Sequence, residues 1–201
     1  MKRIYIFKAF ERFWHWAQAL LIIGMLITGF EIHGTYALLG WETAITIHTT
    51  AAWALITLWV FAIFWHFTSG EWKQYIPDTQ LNMTLAVARY YAIGIFTGDP
   101  HPYKIRPDRK HNPMQRNAYL GVKLFINPVI WISGLLYLFY AEWSGTGLAA
   151  FLSLEWVAIA HTFGAFLMLM FLIAHLYLIT TGGTVTEQLK AMITGWEEVE
   201  E

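Results

Sequence analysis

The chain has 201 residues, of which 57% are hydrophobic, 17% are aromatic and 13% are charged, and its formal net charge is -1. A water-soluble domain carries about 25% charged residues, so this composition excludes an ordinary soluble protein and predicts a membrane protein. The chain contains no cysteine, which excludes disulfides, cysteine-ligated iron–sulfur clusters and thioether attachment of a haem to this chain.

Four stretches without a charged residue are each long enough to cross a hydrocarbon core about 30 Å thick as a helix. They are Phe13 to Phe30, Thr43 to Gly70, Leu124 to Ala141 and Trp156 to Thr186. The sequence therefore predicts an all-α integral membrane four-helix bundle in one domain, 1–201, with spans at approximately 12–32, 44–68, 119–140 and 155–180. The first stretch lacks a small-residue cleavage site, so we interpret it as a span rather than as a signal peptide.

The second and third spans are separated by a long predicted loop, 69–118. Within it, Leu81 to Phe96 has apolar residues at helical spacing, which predicts an extra, partly amphipathic helix at the membrane interface. A short helix packed against the bundle is the alternative interpretation.

The cationic residues are distributed unevenly along the chain. All 13 Lys and Arg lie in 2–12, in 73–123 or at Lys190, and none lies in the segments 31–43 or 141–155. Because positive loops stay on the cytoplasmic side, the amino terminus, the loop 69–118 and the carboxyl terminus are predicted to be cytoplasmic. The two short acidic loops are predicted to face outward.

Five histidines lie within the predicted spans, and they are the informative residues of the sequence. Coordinating side chains inside a membrane are costly and are functional hypotheses by default. A single histidine could simply hydrogen-bond to a neighbouring helix, but five in four spans indicate metal coordination. These residues are His15, His48, His66, His161 and His175.

The positions of four of these histidines match in depth. His161 and His175 lie fourteen residues apart on the fourth span, which is about 21 Å of helical rise on nearly the same face. A haem iron with two axial imidazoles needs a partner histidine at the same depth for each of them. His48 matches His161 at the outer side, and His15 matches His175 at the inner side, so the spacing predicts two haem sites.

His66 is an alternative ligand for the inner site. It lies eighteen residues after His48, which is five full turns later on the same face. It could replace His15, contact a haem propionate or be an interfacial histidine without a role at the haem.

Several segments together resemble a known family. They are Arg12-Phe13-Trp14-His15-Trp16, Leu26-Ile27-Thr28-Gly29, His48, the pair His161 and His175, and the tail Met192-Ile193-Thr194-Gly195. Over nearly the whole chain they resemble the di-haem cytochrome b subunits of membrane-bound formate dehydrogenases, nickel–iron hydrogenases and, most closely, thiosulfate-reductase-type complexes. In that family the histidine before tryptophan binds the inner haem. The resemblance therefore implies iron ligation by His15, His48, His161 and His175.

The segment Lys110-His111-Asn112-Pro113-Met114-Gln115-Arg116 resembles the stretch before span three that contributes to a quinone site in the formate dehydrogenase relatives. Pro113 and the longer preceding loop depart from that pattern. The resemblance implies quinone contacts from Asn112 and Gln115. The alternative is that Asn112 caps the third helix and Gln115 is a solvated neighbour.

The resemblance implies two haem b groups and a quinone, menaquinone or ubiquinone, in a bacterial or archaeal cytoplasmic membrane. Electrons would pass between the quinone pool at an inner site and a redox subunit on the outer face, namely an iron–sulfur protein, a hydrogenase or a multihaem cytochrome c. The chain would then be a quinone-reactive subunit of an oxidoreductase complex, with membrane lipid around it and no nucleic-acid partner.

Two other functions are compatible with the sequence. One is a haem-bearing membrane anchor without a quinone reaction of its own, and the other is a haem-free transporter.

For the anionic haem propionates, Arg12, Arg116 and Lys123 are available on the inner side. The outer loops carry no cation, so outer propionates are expected to rely on neutral donors or on a partner subunit.

Overall fold

The computed structural model describes residues 2–77, 81–103 and 109–199. Along the chain, its helices and strands are β1 (Lys2–Tyr5), α1 (Ala9–Ile32), α2 (Trp41–Ser69), α3 (Leu81–Arg89), α4 (Ile95–Thr97), α5 (Pro113–Gly121), α6 (Asn127–Leu138), α7 (Tyr140–Trp143), α8 (Leu154–Leu178), α9 (Glu187–Thr194) and β2 (Trp196–Val199). Short 3-10 helices lie at Glu71–Tyr75 and Gly147–Ala150, and π-helical turns lie at Tyr90–Gly94 and Val122–Ile126.

Four helices are long and apolar enough to cross a membrane: α1, α2, the continuous helix Pro113–Leu138, which contains α5 and α6, and α8. This confirms the predicted all-α architecture of a multi-pass membrane protein with four spans. The shorter α3 confirms the extra helix between the second and third spans. Within the predicted loop 69–118, residues 78–80 and 104–108 lie outside the described part of the chain.

The third long helix begins at Pro113, earlier than the predicted edge at 119. Asn112 caps it, and Pro113 occupies its first position, where the missing N–H costs nothing. Further along, Pro128 cannot donate to a carbonyl one turn back. The helix widens into the π-turn Val122–Ile126 just before this proline, and the N–H of Asn127 reaches the carbonyl of Val122.

The chain divides into two compact units. The first comprises Met1–Ile76, Ile105–Lys110 and Gly182–Glu201, and the second comprises Pro77–Lys104 and His111–Thr181. The single domain 1–201 stays a prediction, and each unit is described by itself below.

In the first unit α1 packs against α2, and the chain ends are joined in a small sheet. β1 pairs with β2 in antiparallel register, Tyr5 opposite Trp196. Gly195 has a φ of +87°, and a Cβ there would lie 2.6 Å from the carbonyl oxygen of Phe7, so this tight exit from α9 requires glycine. The Nε1 of Trp16 on α1 donates to the carbonyl of Met192 at 3.2 Å, which holds α9 beside the first turns of α1.

In the second unit α6 packs against α8 at a close approach of the two helices. A Cβ placed on Gly164 of α8 would lie 2.6 Å from Cγ1 of Ile130 and 3.2 Å from Cγ1 of Val129. A small residue such as Gly164 at a helix crossing is the usual means by which helices approach each other in lipid.

Elsewhere in the second unit α3 packs on α5, and Nδ2 of Asn117 donates to Oγ1 of Thr84 at 3.2 Å.

The long helices bury small and polar side chains and expose large apolar ones. Thr28, Ala44, Ala62 and Ser133 are each at most 3% exposed, whereas Leu20 and Phe125 are 74% and 70% exposed. Large apolar surface on this scale is tolerated only where lipid, rather than water, is the solvent.

We expect Gly164→Ala to destabilise the second unit by about 1–3 kcal/mol, because the new methyl group would displace Ile130 or separate α6 from α8. The measurement is the midpoint of thermal unfolding in detergent, which should fall. Gly121→Ala is the matched control in the same unit, since a Cβ at Gly121 meets nothing within 4 Å. Equal midpoints for the two variants would contradict this account of the crossing.

Candidate functional site

His48 lies near the beginning of α2 and faces two residues at the far end of α1. Its Nδ1 is 3.0 Å from Oγ1 of Thr28. A Cβ on the next residue, Gly29, would lie 3.3 Å from Cε1 of the imidazole. The dipeptide Thr28-Gly29 therefore supplies a hydrogen-bond partner and makes room for the ring.

The same arrangement occurs in the second unit around His161. Its Nδ1 is 3.0 Å from Oγ of Ser133 on α6. A Cβ on Gly134 would lie 3.1 Å from Cε1 of the His161 ring, a spacing tighter than ordinary contacts. Each unit thus pairs a hydroxyl–glycine dipeptide on one long helix with a histidine on the next.

The carbonyl partners of the two hydroxyls favour one tautomer of both imidazoles. The Thr28 hydroxyl donates its proton to the carbonyl of Gly24 at 2.9 Å, and the Ser133 hydroxyl donates to the carbonyl of Val129. With its own proton given to a carbonyl, each hydroxyl oxygen can accept from Nδ1–H of the histidine. The tautomer with the proton on Nδ1 fits this contact, and its Nε2 carries the lone pair that a metal requires.

At the other end of the first unit lie His15 and His66, the two candidates for the inner ligand. His15 is half-buried in the second turn of α1, with its ring 5.1 Å from that of Trp16. His66 is 9% exposed, and its Nδ1 lies 2.6 Å from the carbonyl of Ala62 one turn earlier. Its ring also contacts Trp14 and Tyr75 edge-on at 5.1 and 5.4 Å.

A row of aromatic rings connects His175 with the residues that precede the third span. His175 stacks on Phe171 with ring centroids 6.0 Å apart and planes 14° apart. Phe171 contacts Tyr119 at 6.5 Å, and Tyr119 contacts His111 at 5.1 Å. These contacts link His111 to the candidate ligand His175 through two intervening rings.

Two arginines, one in each unit, present buried N–H groups. Arg116 is only 7% exposed, and its Nε has no hydrogen-bond partner among the described residues. Arg12 donates through Nη1 to the carbonyl of Ile193, and its buried Nε likewise has no partner among them. Buried donors on a cation are costly to leave unsatisfied, so both side chains suit an anionic group.

Asn112 and Gln115 form a capping box at the start of the third long helix. Oδ1 of Asn112 accepts from the backbone N–H of Gln115 at 2.8 Å, and Oε1 of Gln115 accepts from that of Asn112 at 3.0 Å. Nδ2 of Asn112 also donates to the hydroxyl of Tyr91 at 3.2 Å. Both amide oxygens are thus used by the cap, and the amide N–H groups are what the two side chains can offer a ligand.

A buried ion cluster in the first unit holds the residue that directly precedes His111. The Nζ of Lys110 lies 3.0 and 2.9 Å from the two carboxylate oxygens of Glu11 and 2.8 Å from Oε2 of Glu71. Lys8 completes the cluster at 2.7 Å from Glu71. Burial raises the pKa of Glu71, but Lys110 and Lys8 outweigh it and lower the pKa below its ordinary value.

The structure places the predicted site residues in two separate groups. His15, His48, His66 and Arg12 belong to the first unit, and His161, His175, Asn112 and Gln115 belong to the second. The pairing of His48 with His161 and of His15 with His175 therefore stays a prediction.

Sequence reasoning missed the contacts that Thr28, Ser133 and Gly134 make with histidine rings. A Thr-Gly or Ser-Gly dipeptide on the membrane helix that precedes a histidine-bearing helix is a sequence pattern that could have indicated them.

Comparisons with known proteins agree over nearly the whole chain. The family described as "Prokaryotic cytochrome b561" matches residues 6–195. The Escherichia coli (strain K12) protein named "Putative cytochrome YdhU" is 30% identical over 201 aligned residues, which cover 97% of this chain and 75% of that protein. No solved structure matches the chain significantly.

Proposed function

The chain belongs to the prokaryotic cytochrome b561 family, and from this we propose that it carries electrons between a membrane quinone and a partner subunit through two haem b groups. The family makes it a membrane cytochrome, and haem-mediated electron transfer is its activity. Family members act as subunits of complexes of the hydrogenase and formate dehydrogenase type. The number of haems, the quinone and the partner are the parts that we propose.

The single observation that carries the proposal is the matched hydroxyl–imidazole pair in each unit. Thr28 and Ser133 hold the Nδ1–H of His48 and His161, and each leaves Nε2 as the coordinating nitrogen. Bound haem supplies one-electron redox chemistry, while the protein supplies axial ligands and their orientation. Gly29 and Gly134 fit this role, because any larger residue would crowd the ligand ring.

Depth supports two haem sites rather than one. His161 and His175 lie on the unbroken helix α8, which separates them by about 21 Å along the helix. We propose that His48 completes the outer site with His161 and that His15 completes the inner site with His175. His66 remains the alternative inner ligand, since its Nδ1 also bonds to a carbonyl, that of Ala62.

The buried cations support the position of the inner site. Arg12 and Arg116 have buried Nε–H groups that a haem propionate could accept from. The predicted outer loops 31–43 and 141–155 contain no Lys or Arg. Outer propionates would accordingly be held by neutral donors, or by cations of an outer-face subunit such as an iron–sulfur protein, a hydrogenase or a multihaem cytochrome c.

We place the quinone at the cytoplasmic boundary, next to the capping box of the third span. The aromatic row from His111 through Tyr119 and Phe171 ends at His175, which supports electron exchange with the inner haem. The amide N–H groups of Asn112 and Gln115 can donate to a quinone oxygen. The competing function is a haem-bearing anchor without a quinone reaction, because the capping box alone accounts for both residues.

Thr28→Val and Ser133→Ala should weaken haem binding, because each removes the group that orients a coordinating imidazole. Loss of such a partner typically lowers metal affinity by about 10–100-fold. The measurement is haem content per chain after purification in limiting haem. Thr57→Val is the control, since among the described residues that exposed hydroxyl bonds only to a carbonyl of its own helix. Full haem content in the double variant Thr28→Val/Ser133→Ala would refute this role.

The double variant Asn112→Ser/Gln115→Glu tests the quinone site without removing the helix cap, because serine and glutamate still accept the two backbone N–H groups. Both amide donors are lost, so quinol-driven haem reduction should slow by about ten-fold or more. Stopped-flow spectra measure this rate, and dithionite-reduced spectra should stay unchanged. Gln188→Glu on α9 controls for the added charge. Unchanged quinol kinetics in the double variant would put the quinone site elsewhere, whereas a wild type that quinol does not reduce would favour the anchor function.

A further inference from the structure

Tyr91 is a buried tyrosine outside the membrane-spanning helices, in the second unit. It lies in the π-turn Tyr90–Gly94 between α3 and α4, and it is 8% exposed. Its hydroxyl lies 3.1 Å from Nε2 of His101 and 3.2 Å from Nδ2 of Asn112, and it also bonds to the hydroxyl of Thr181. Single π-turns within α-helices frequently mark functional positions.

His101 connects this buried hydroxyl with the half-buried segment after α4. Its Nδ1 lies 2.7 Å from the carbonyl oxygen of Tyr103 and 3.1 Å from the backbone nitrogen of the same residue. A protonated Nδ1 can therefore donate to the carbonyl, and an unprotonated Nδ1 can accept from the N–H. His101 has a hydrogen bond at this end in either tautomer.

Tyr91 offers the same choice at the other end. Nδ2 of Asn112 is a donor, so it gives a hydrogen bond to the tyrosine oxygen. The Thr181 hydroxyl donates to the carbonyl of Leu178 at 2.7 Å, so its oxygen accepts. The proton of Tyr91 can consequently point to Nε2 of His101 or to Thr181.

Two complete hydrogen-bond arrangements follow. In one, Tyr91 donates to Nε2 of His101, and Nδ1–H donates to the Tyr103 carbonyl. In the other, Nε2–H donates to Tyr91, the Tyr91 proton turns to Thr181, and Nδ1 accepts the N–H of Tyr103. An imidazole that changes tautomer without losing a hydrogen bond is well suited to take a proton at one nitrogen and release it at the other.

The environment keeps both groups neutral at rest. Burial lowers the pKa of His101 below its ordinary value, with the hydrogen bond to Tyr103 acting in the opposite direction. Burial also raises the pKa of Tyr91, helped by the neighbouring Tyr90. Neutral imidazole and protonated phenol are the states from which such a relay starts.

We propose that His101 and Tyr91 form a proton relay between water and the quinone site at Asn112; this rests on the proposed function. As a bound quinone gains an electron supplied through the haem, Tyr91 gives its hydroxyl proton to a quinone oxygen. The Tyr91 O–H bond breaks and a quinone O–H bond forms. Nε2–H of His101 reprotonates Tyr91, and Nδ1 takes a proton from water. One pass moves one electron and one proton, so the relay carries one of the two protons of a quinol, and oxidation at that oxygen runs each transfer in reverse.

The experiment compares wild type, His101→Ala and Tyr91→Phe in the haem-loaded protein. Quinol-driven haem reduction should slow by about 10²-fold in both variants, the order of one general acid–base contribution. Added imidazole should restore the rate of His101→Ala, and not that of Tyr91→Phe. Equilibrium titration with the quinol should give unchanged affinity, and dithionite should give unchanged haem spectra. His33→Ala, in the exposed turn after α1, is the matched histidine control.

The outcomes separate this relay from the proposed function. Wild type that does not oxidise quinol would sink the quinone reaction and the relay with it. Quinol oxidation by wild type with an unchanged rate in His101→Ala would overturn the relay alone. A slow rate that imidazole does not restore, or that accompanies weaker quinol binding, would assign His101 a structural role and would also overturn the relay.

Discussion

The site depends on the hydrogen bond between a helix hydroxyl and the Nδ1 of a histidine inside the membrane. In hydrocarbon, each N–H must be satisfied by the protein, and Thr28 and Ser133 can accept because their own protons go to carbonyls of their helix. The same bond favours the tautomer with the proton on Nδ1, which leaves the lone pair on Nε2. One polar contact per unit thus satisfies the buried N–H group of the imidazole and favours the tautomer that can bind a metal.

Helix packing is arranged around this contact. The hydroxyl residue is followed in each case by glycine, Gly29 or Gly134, which lets the backbone approach the histidine ring. Gly164 brings α6 and α8 close together near the middle of the second unit. Large apolar side chains point away from these crossings. The small residues therefore determine which helices pack together, and the lipid-facing side chains contribute little to that choice.

The sequence predicted those parts of the fold that depend on composition and on the helical spacing of apolar residues. The length of the uncharged stretches predicted the four long apolar helices. His161 and His175 both lie on one of them, α8, and their depth in the membrane stays a prediction. The two π-turns were missed because a single wide turn leaves the helical spacing of the apolar residues nearly unchanged. The ion cluster at Lys110 and the pairing of β1 with β2 were missed because they join residues far apart in sequence. The capping box was an open alternative, since Asn112 and Gln115 suit a helix start and a quinone equally well.

The central claim is that this cytochrome holds two low-spin haems, each between two histidines. The most direct measurement is the haem-to-protein ratio of the purified, fully loaded chain by pyridine haemochrome, together with its histidine variants. The account predicts a ratio near two, with one haem lost in His48→Ala or His161→Ala and the other lost in His15→Ala or His175→Ala. A reproducible ratio near one in the unmodified protein would contradict it.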